Sequence, residues 1–149
     1  MYYKLALASV LMLATVAIQI EATMIVLRAV RRSGGAVLAV IRRSHVNRLG
    51  MVVLVMLAGH LIQVLLWAVT YVLIDAIQGF EKAMYFSMVT FTTLGYGDVT
   101  LEPGWRLLGS FEAAVGIIMF GWTTAIVVAV VHKAYLDTRD SRDRTSIAD

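Results

Sequence analysis

Thr93, Leu94, Gly95, Tyr96 and Gly97 form the run whose residue types offer ion chemistry without carrying charge. Two glycines flanking one aromatic permit backbone conformations that other L-residues resist, so successive carbonyls can point the same way. A row of carbonyl oxygens plus the Thr93 hydroxyl makes an all-oxygen cage with no net charge. Such a cage replaces the water shell of a large monovalent cation and still lets the ion leave. Other groupings point to weaker chemistry. His60 and Gln63, three residues apart, suit a ligand pair or a helix–helix hydrogen bond, the commoner use. Asp137, Asp140 and Asp143 lack the glycine and terminal glutamate of a calcium loop. Their alternation with Arg139, Arg142 and Arg144 reads as a solvated charged tail. With no cysteine, the chain has no thiolate metal site, redox dithiol or disulfide.

The elements that position the Thr93–Gly97 run follow from its flanks. Residues 81–98 are too apolar for an exposed loop and too short to cross a membrane twice. A helix over residues 82–92 descends roughly 17 Å, a little over half the hydrocarbon thickness. Residues 93–97, nearly extended, climb back roughly 15 Å. Non-helical backbone at that depth is tolerated only where it is buried in protein or faces water or ions.

The rest of the chain supplies the membrane. Of 149 residues 60% are hydrophobic and 15% charged, against about a quarter charged in soluble domains. Uncharged runs cover residues 5–20, 49–74, 83–97 and 113–132. This excludes an ordinary soluble enzyme, a disulfide scaffold and a disordered tail. The expected fold class is an all-α membrane protein with three transmembrane helices and a re-entrant segment. Residues 1–27 form a first helix and 28–48 a basic linker broken by Ser33-Gly34-Gly35. Residues 49–75 form a second helix, with Trp67 and Tyr71 as interfacial anchors near its outer end. Residues 105–132 form a third helix and 134–149 a short tail. A cleaved signal peptide competes for the first segment, but cleavage near Ala14 or Ala17 leaves a remnant too short to span.

Charge sets the orientation. Arg28, Arg31, Arg32, Arg42, Arg43 and Arg48 stand together with no acid among them, which places this linker in the cytoplasm. The N-terminus is then outside and the C-terminus inside, in a multi-pass protein of the cell membrane. Between Asp75 and Arg106 four acids outnumber two bases. Clustered this way, the basic charge points to anionic lipid at Arg28–Arg48 and not to nucleic acid.

The stretch Thr90-Phe91-Thr92-Thr93-Leu94-Gly95-Tyr96-Gly97-Asp98 resembles the potassium-channel signature, four loops of which read Thr-Val-Gly-Tyr-Gly around one ion. The helices on either side resemble the two-helix pore module of prokaryotic potassium channels. The likeness covers about residues 49–133 and leaves the first helix and the linker outside it. Leucine in place of valine alters packing behind the filter and not the ligands, since only its backbone faces the ion.

The resemblance implies a subunit of a homotetramer conducting K+ passively, neither an enzyme nor a cofactor carrier. It places K+ at the carbonyls of Thr93, Leu94, Gly95 and Tyr96, with Thr93 adding its hydroxyl. Gly97 lets the chain leave the filter, Asp98 sits at the outer mouth, and Thr92 ends the pore helix. It assigns a hinge to Gly116, where close packing is an equal reading, and cavity positions to Ile117, Phe120, Thr124 and Val128. Tyr85 and Phe86 replace a tryptophan pair, so only Tyr85 can donate to the filter aspartate. Val89 stands where some relatives have glutamate. Glu112 either pairs behind the filter or turns toward Arg106. Arg28, Arg31 and Arg32 echo voltage-sensor spacing without a sensor bundle, and His132 is a candidate pH-sensitive group. A weakly selective cation channel and a non-conducting regulatory or scaffold subunit are the alternatives.

Overall fold

The computed structural model describes residues 2–31 and 45–148, all of whose regular elements are helical. Four helices follow one another: α1 (Tyr2–Arg31), α2 (His45–Leu73), α3 (Phe80–Phe91) and α4 (Arg106–Ala148). Three of them, Tyr2–Ala29, Leu49–Leu73 and Arg106–Lys133, are long and apolar enough to cross a membrane. Helix α1 runs past residue 27 and α2 starts before residue 49. Helix α4 continues without a break through the segment expected as a separate tail from residue 134. Ser33-Gly34-Gly35 and the linker arginines Arg32, Arg42 and Arg43 lie outside the described residues.

The hairpin from α2 into α3 is made by a helix ending that needs no glycine. Ile74 caps α2, and Asp75 takes the left-handed conformation at φ 53°. Asp75 N–H then donates to Val72 O at 3.1 Å and Ala76 N–H to Tyr71 O at 2.9 Å, consuming two carbonyls the helix leaves open. Gly79, at φ 89°, starts α3. Helix α3 has 12 residues, Phe80–Phe91, two residues earlier at its start than expected and one at its end.

Helix α3 inserts between α2 and α4. Ala83, Phe86 and Phe91 join Val64, Trp67, Ala68 and Tyr71 of α2 and Leu108, Val115 and Met119 of α4 in one core. Phe91 ends α3 against the middle of both long helices, 5.8 Å from the Phe120 ring and 5.9 Å from His60. A Cβ on Gly116 would overlap the Phe91 carbonyl oxygen, so close packing, the second of the two readings of this glycine, has a physical basis here.

Helix α1 is built into this core. At one end Ala8 and Leu11 join the main cluster; at the other, Ala22 and Val26 pack on Val52 and Met56, with Ile126 and Val127 against them. Gly59 lets the backbones approach, its would-be Cβ 3.2 Å from that of Ala22. Lys4 Nζ donates to the Gly104 carbonyl at 2.5 Å and lies over the Trp105 ring. The start of α1 therefore lies at the same end of the molecule as the 75–105 segment.

Trp67 and Tyr71 are not interfacial anchors: both are fully buried. The added helix covers the face of α2 that composition alone left to the headgroup region. Trp67 Nε1 donates to Thr15 Oγ1 at 3.1 Å across that contact. Between the two apolar clusters, four polar side chains close a ring. Gln63 Nε2 donates to Gln19 Oε1 at 2.9 Å, and Gln19 Nε2 to Thr123 Oγ1 at 3.0 Å. Gln63 Oε1 only accepts, so His60 Nδ1 donates to it at 3.3 Å. His60 Nε2 is then the acceptor for the Thr123 hydroxyl at 3.0 Å. Each donor in the ring feeds the next acceptor, and α1, α2 and α4 are tied together at mid-height.

Thr123→Val removes two links of this ring and strands Gln19 and His60. It should destabilise the folded protein by about 1–3 kcal/mol, measured by thermal unfolding in detergent. Unchanged stability would show that the ring does not hold α1 to α4.

Candidate functional site

The site is assembled from the end of α3. Its last residues leave carbonyls without helical partners, and the chain satisfies two of them by the same device that ends α2. Thr92 caps α3 and Thr93 adopts the left-handed conformation at φ 61°. Thr93 N–H donates to Thr90 O at 2.9 Å, and Leu94 N–H to Val89 O at 3.0 Å. Thr92 turns its hydroxyl back to Met88 O at 2.7 Å, so it seals the helix end. Gly95 and Gly97 are left-handed as well, at φ 58° and 80°. Residues 93, 95 and 97 thus share one backbone sense, and Leu94 and Tyr96 between them do not. Alternation of this kind is what allows neighbouring carbonyls to face one side.

A threonine at the position after a helix cap is unusual. Glycine occupies it without steric cost, and a side chain there carries a penalty of about 1–2 kcal/mol. Strain held at one residue of a candidate site points to a use for the side chain that incurs it. The Thr93 side chain brings a hydroxyl to the first turn of the run.

Leu94 is 58% and Tyr96 67% exposed, so one chain leaves the run uncovered. Ile117, Phe120 and Val128 of α4 are likewise exposed within the chain, as is Thr124, whose hydroxyl donates to Phe120 O at 2.9 Å. Phe120 is also engaged from behind, 4.8 Å from His60. Of the three spanning helices α4 is the least buried within the chain, and so has the most surface free for other contacts.

Two attachments hold the run from behind. Just past Gly97, Tyr85 O–H donates to Asp98 Oδ2 at 2.7 Å, and Val99 N–H to Asp98 Oδ1 at 3.0 Å. The Tyr85 bond holds the Asp98 carboxyl below the usual carboxylate range, and Asp98 in return pushes the Tyr85 phenol up. Phe86, which has no donor, is buried in the core, 5.2 Å from the Tyr71 ring.

The second attachment is Glu112. Of its two expected placements, the structure takes the one behind α3: Glu112 is fully buried, with Ser87 Oγ 2.5 Å from Oε1 and Tyr71 O–H donating to Oε2 at 2.6 Å. Arg106 does not reach it, its Nε donating to Leu101 O at 3.3 Å. Ser87 and Tyr71 had no place among the expected site residues. Ser87 is the one serine of α3, and Glu112 the one acid in the spanning part of α4. Two solitary polar residues in adjacent apolar helices were the available signal.

Tyr85→Phe removes the main cause of the Asp98 shift. A depressed carboxylate stabilises the fold above its unfolded-state value, and that contribution is lost as pH falls through the folded-state value. The substitution should move Asp98 protonation to higher pH, followed by the carboxyl infrared bands of aspartate-labelled protein. An unmoved titration would mean that the bond does not hold Asp98.

These elements match a known plan. The family model described as an ion channel matches residues 50–133, which takes in α2, α3, the Thr93–Gly97 run and the spanning part of α4. No curated protein and no solved structure matches the chain at a significant level. The chain belongs to this ion-channel family, as a two-helix pore-loop module preceded by one further apolar helix.

Proposed function

We propose that the protein is a potassium-selective channel subunit that conducts K+ passively through a pore closed by four copies of the chain. The observation that carries this reading is the left-handed backbone at Thr93, Gly95 and Gly97, with a threonine in a seat that favours glycine. Carbonyls of Thr93, Leu94, Gly95 and Tyr96, joined by the Thr93 hydroxyl, then replace the hydration shell of K+. Being neutral, they bind each ion loosely enough for the next to displace it. The C-terminal end of α3 adds the negative end of its helix dipole just ahead of the run.

One chain contributes one strand to such a cage, and a ring around a single ion needs several. Cyclic symmetry closes it with identical contacts, and the exposed Leu94, Tyr96 and Ile117 give each copy an apolar surface for its neighbours. The acidic excess between Asp75 and Arg106, repeated in every copy, concentrates cations at the mouth. The N-terminus and the 75–105 segment then face outward, with the arginine-rich linker at the cytoplasmic side, where anionic headgroups meet it. Transport of this kind makes and breaks no bond and needs no resident cofactor.

Potassium-driven flux into liposomes tests the proposal. The unmodified protein should pass K+ and exclude Na+. Gly95→Ala should abolish flux, because alanine resists φ near 58°. Thr93→Ser should keep selectivity, whereas Thr93→Gly, relieved of strain but without the hydroxyl, should lose it. Equal K+ and Na+ flux through the unmodified protein, or no flux at all, would overturn the proposal.

A further inference from the structure

The three-helix junction around Glu112 carries more hydrogen-bond positions than it has hydroxyl protons if the carboxyl is ionised. Ser87 Oγ lies 2.5 Å from Glu112 Oε1 and 2.9 Å from the Val64 carbonyl oxygen. A serine hydroxyl has one proton and cannot donate to both. Tyr71 O–H already donates to Glu112 Oε2, and a backbone carbonyl donates nothing. The two Ser87 contacts are hydrogen bonds together only if a proton sits on Glu112 Oε1. The chain then runs Tyr71 O–H to Oε2, Oε1–H to Ser87 Oγ, and Ser87 O–H to Val64 O. It leads from α2 to α4, on to α3 and back to α2, and no buried side-chain polar atom among the described residues is left without a partner.

We infer that Glu112 is a proton-binding site: as the neutral acid it latches the pore helix α3 to both spanning helices, and loss of its proton releases that latch. The charged groups around it support the neutral form. From α2 the titratable group that faces it is the Tyr71 phenol, from α3 none, and on its own helix Arg106 is turned to the Leu101 carbonyl. No ion pair offsets a carboxylate charge at this place among the described residues, and a buried unpaired charge is strongly disfavoured. When the proton leaves, Ser87 must turn its own proton to Glu112 and let go of Val64. The tie from α3 back to α2 is then broken two residues before Val89 and about one helical turn before Phe91, which carry the start of the Thr93–Gly97 run. Glu112 is a positioning residue, since it touches no ion.

The effect on conduction rests on the reading under Proposed function, but the proton does not. Infrared spectra of the purified protein at neutral pH should contain the carbonyl band of a protonated, hydrogen-bonded carboxylic acid. That band should disappear in Glu112→Gln and shift in Ser87→Ala. Its absence from the unmodified protein at neutral pH would overturn the inference, whether or not the protein conducts. In liposomes Glu112→Gln, whose amide can donate to Ser87 and accept from Tyr71, should keep K+ flux within about twofold, while Glu112→Ala strands both partners and should lose about tenfold or more. Unmodified protein should lose flux as pH rises and Glu112→Gln should not. A Glu112→Gln protein that folds but loses flux as far as Glu112→Ala, or that shares the alkaline loss, would contradict the latch.

Discussion

A helix that stops at mid-height between two spanning helices is the constraint on which the rest of this molecule depends. Helix α3 ends at Phe91, beside His60 and Gly116, far from either end of α2 and α4. Backbone beyond such an end has no helical partner, and lipid offers none. Two carbonyls are taken up by the turn at Thr93 and Leu94. The following residues must find polar company elsewhere, and under the proposed function a dehydrated cation is that company. The rest of the chain holds this end still: Gly116 makes room for the Phe91 carbonyl, Glu112 grips Ser87, and Tyr85 grips Asp98.

The helix ahead of the pore module belongs to the same mechanical unit. It contributes Thr15 and Gln19, covers Trp67, and joins the ring that reaches Thr123 of α4. His60 belongs to that ring and also packs on Phe91 and Phe120. A displacement of α1 therefore reaches the base of the Thr93–Gly97 run through His60 of α2, whereas α4 also meets Phe91 directly through Gly116 and Phe120. In a bilayer each such polar link contributes only about 0.6 kcal/mol on average, so the coupling is a bias between arrangements and not a rigid weld.

Much of this was legible in the sequence because its signals were periodic or compositional. Uncharged runs gave three spanning helices, and the apolar stretch ahead of Thr93 gave the half-length helix to within two residues at its start and one at its end. The charge on either side of α2 set an orientation to expect. What stayed hidden depended on which faces meet. Trp67 and Tyr71 have the chemistry of interfacial anchors, and nothing local to α2 says that α1 and α3 cover them. Gln19 and Thr123 lie 104 residues apart, and their hydrogen bond follows only from packing. Glu112 had two physically sound placements, and the choice was made by Ser87, whose pairing with Glu112 follows only from how α3 and α4 pack. The left-handed Thr93 was beyond reach as well, because its spacing invites glycine and its identity does not announce the strain.

The central claim is that neutral backbone oxygens at Thr93–Tyr96 replace the water of K+ and reject smaller ions. The most direct measurement is the reversal potential of the reconstituted channel with K+ on one side of the bilayer and Na+ on the other. The account predicts a potential set by K+, strongly displaced from zero. A reversal near zero would contradict it, because a cage of fixed carbonyls would then be failing to distinguish the two ions.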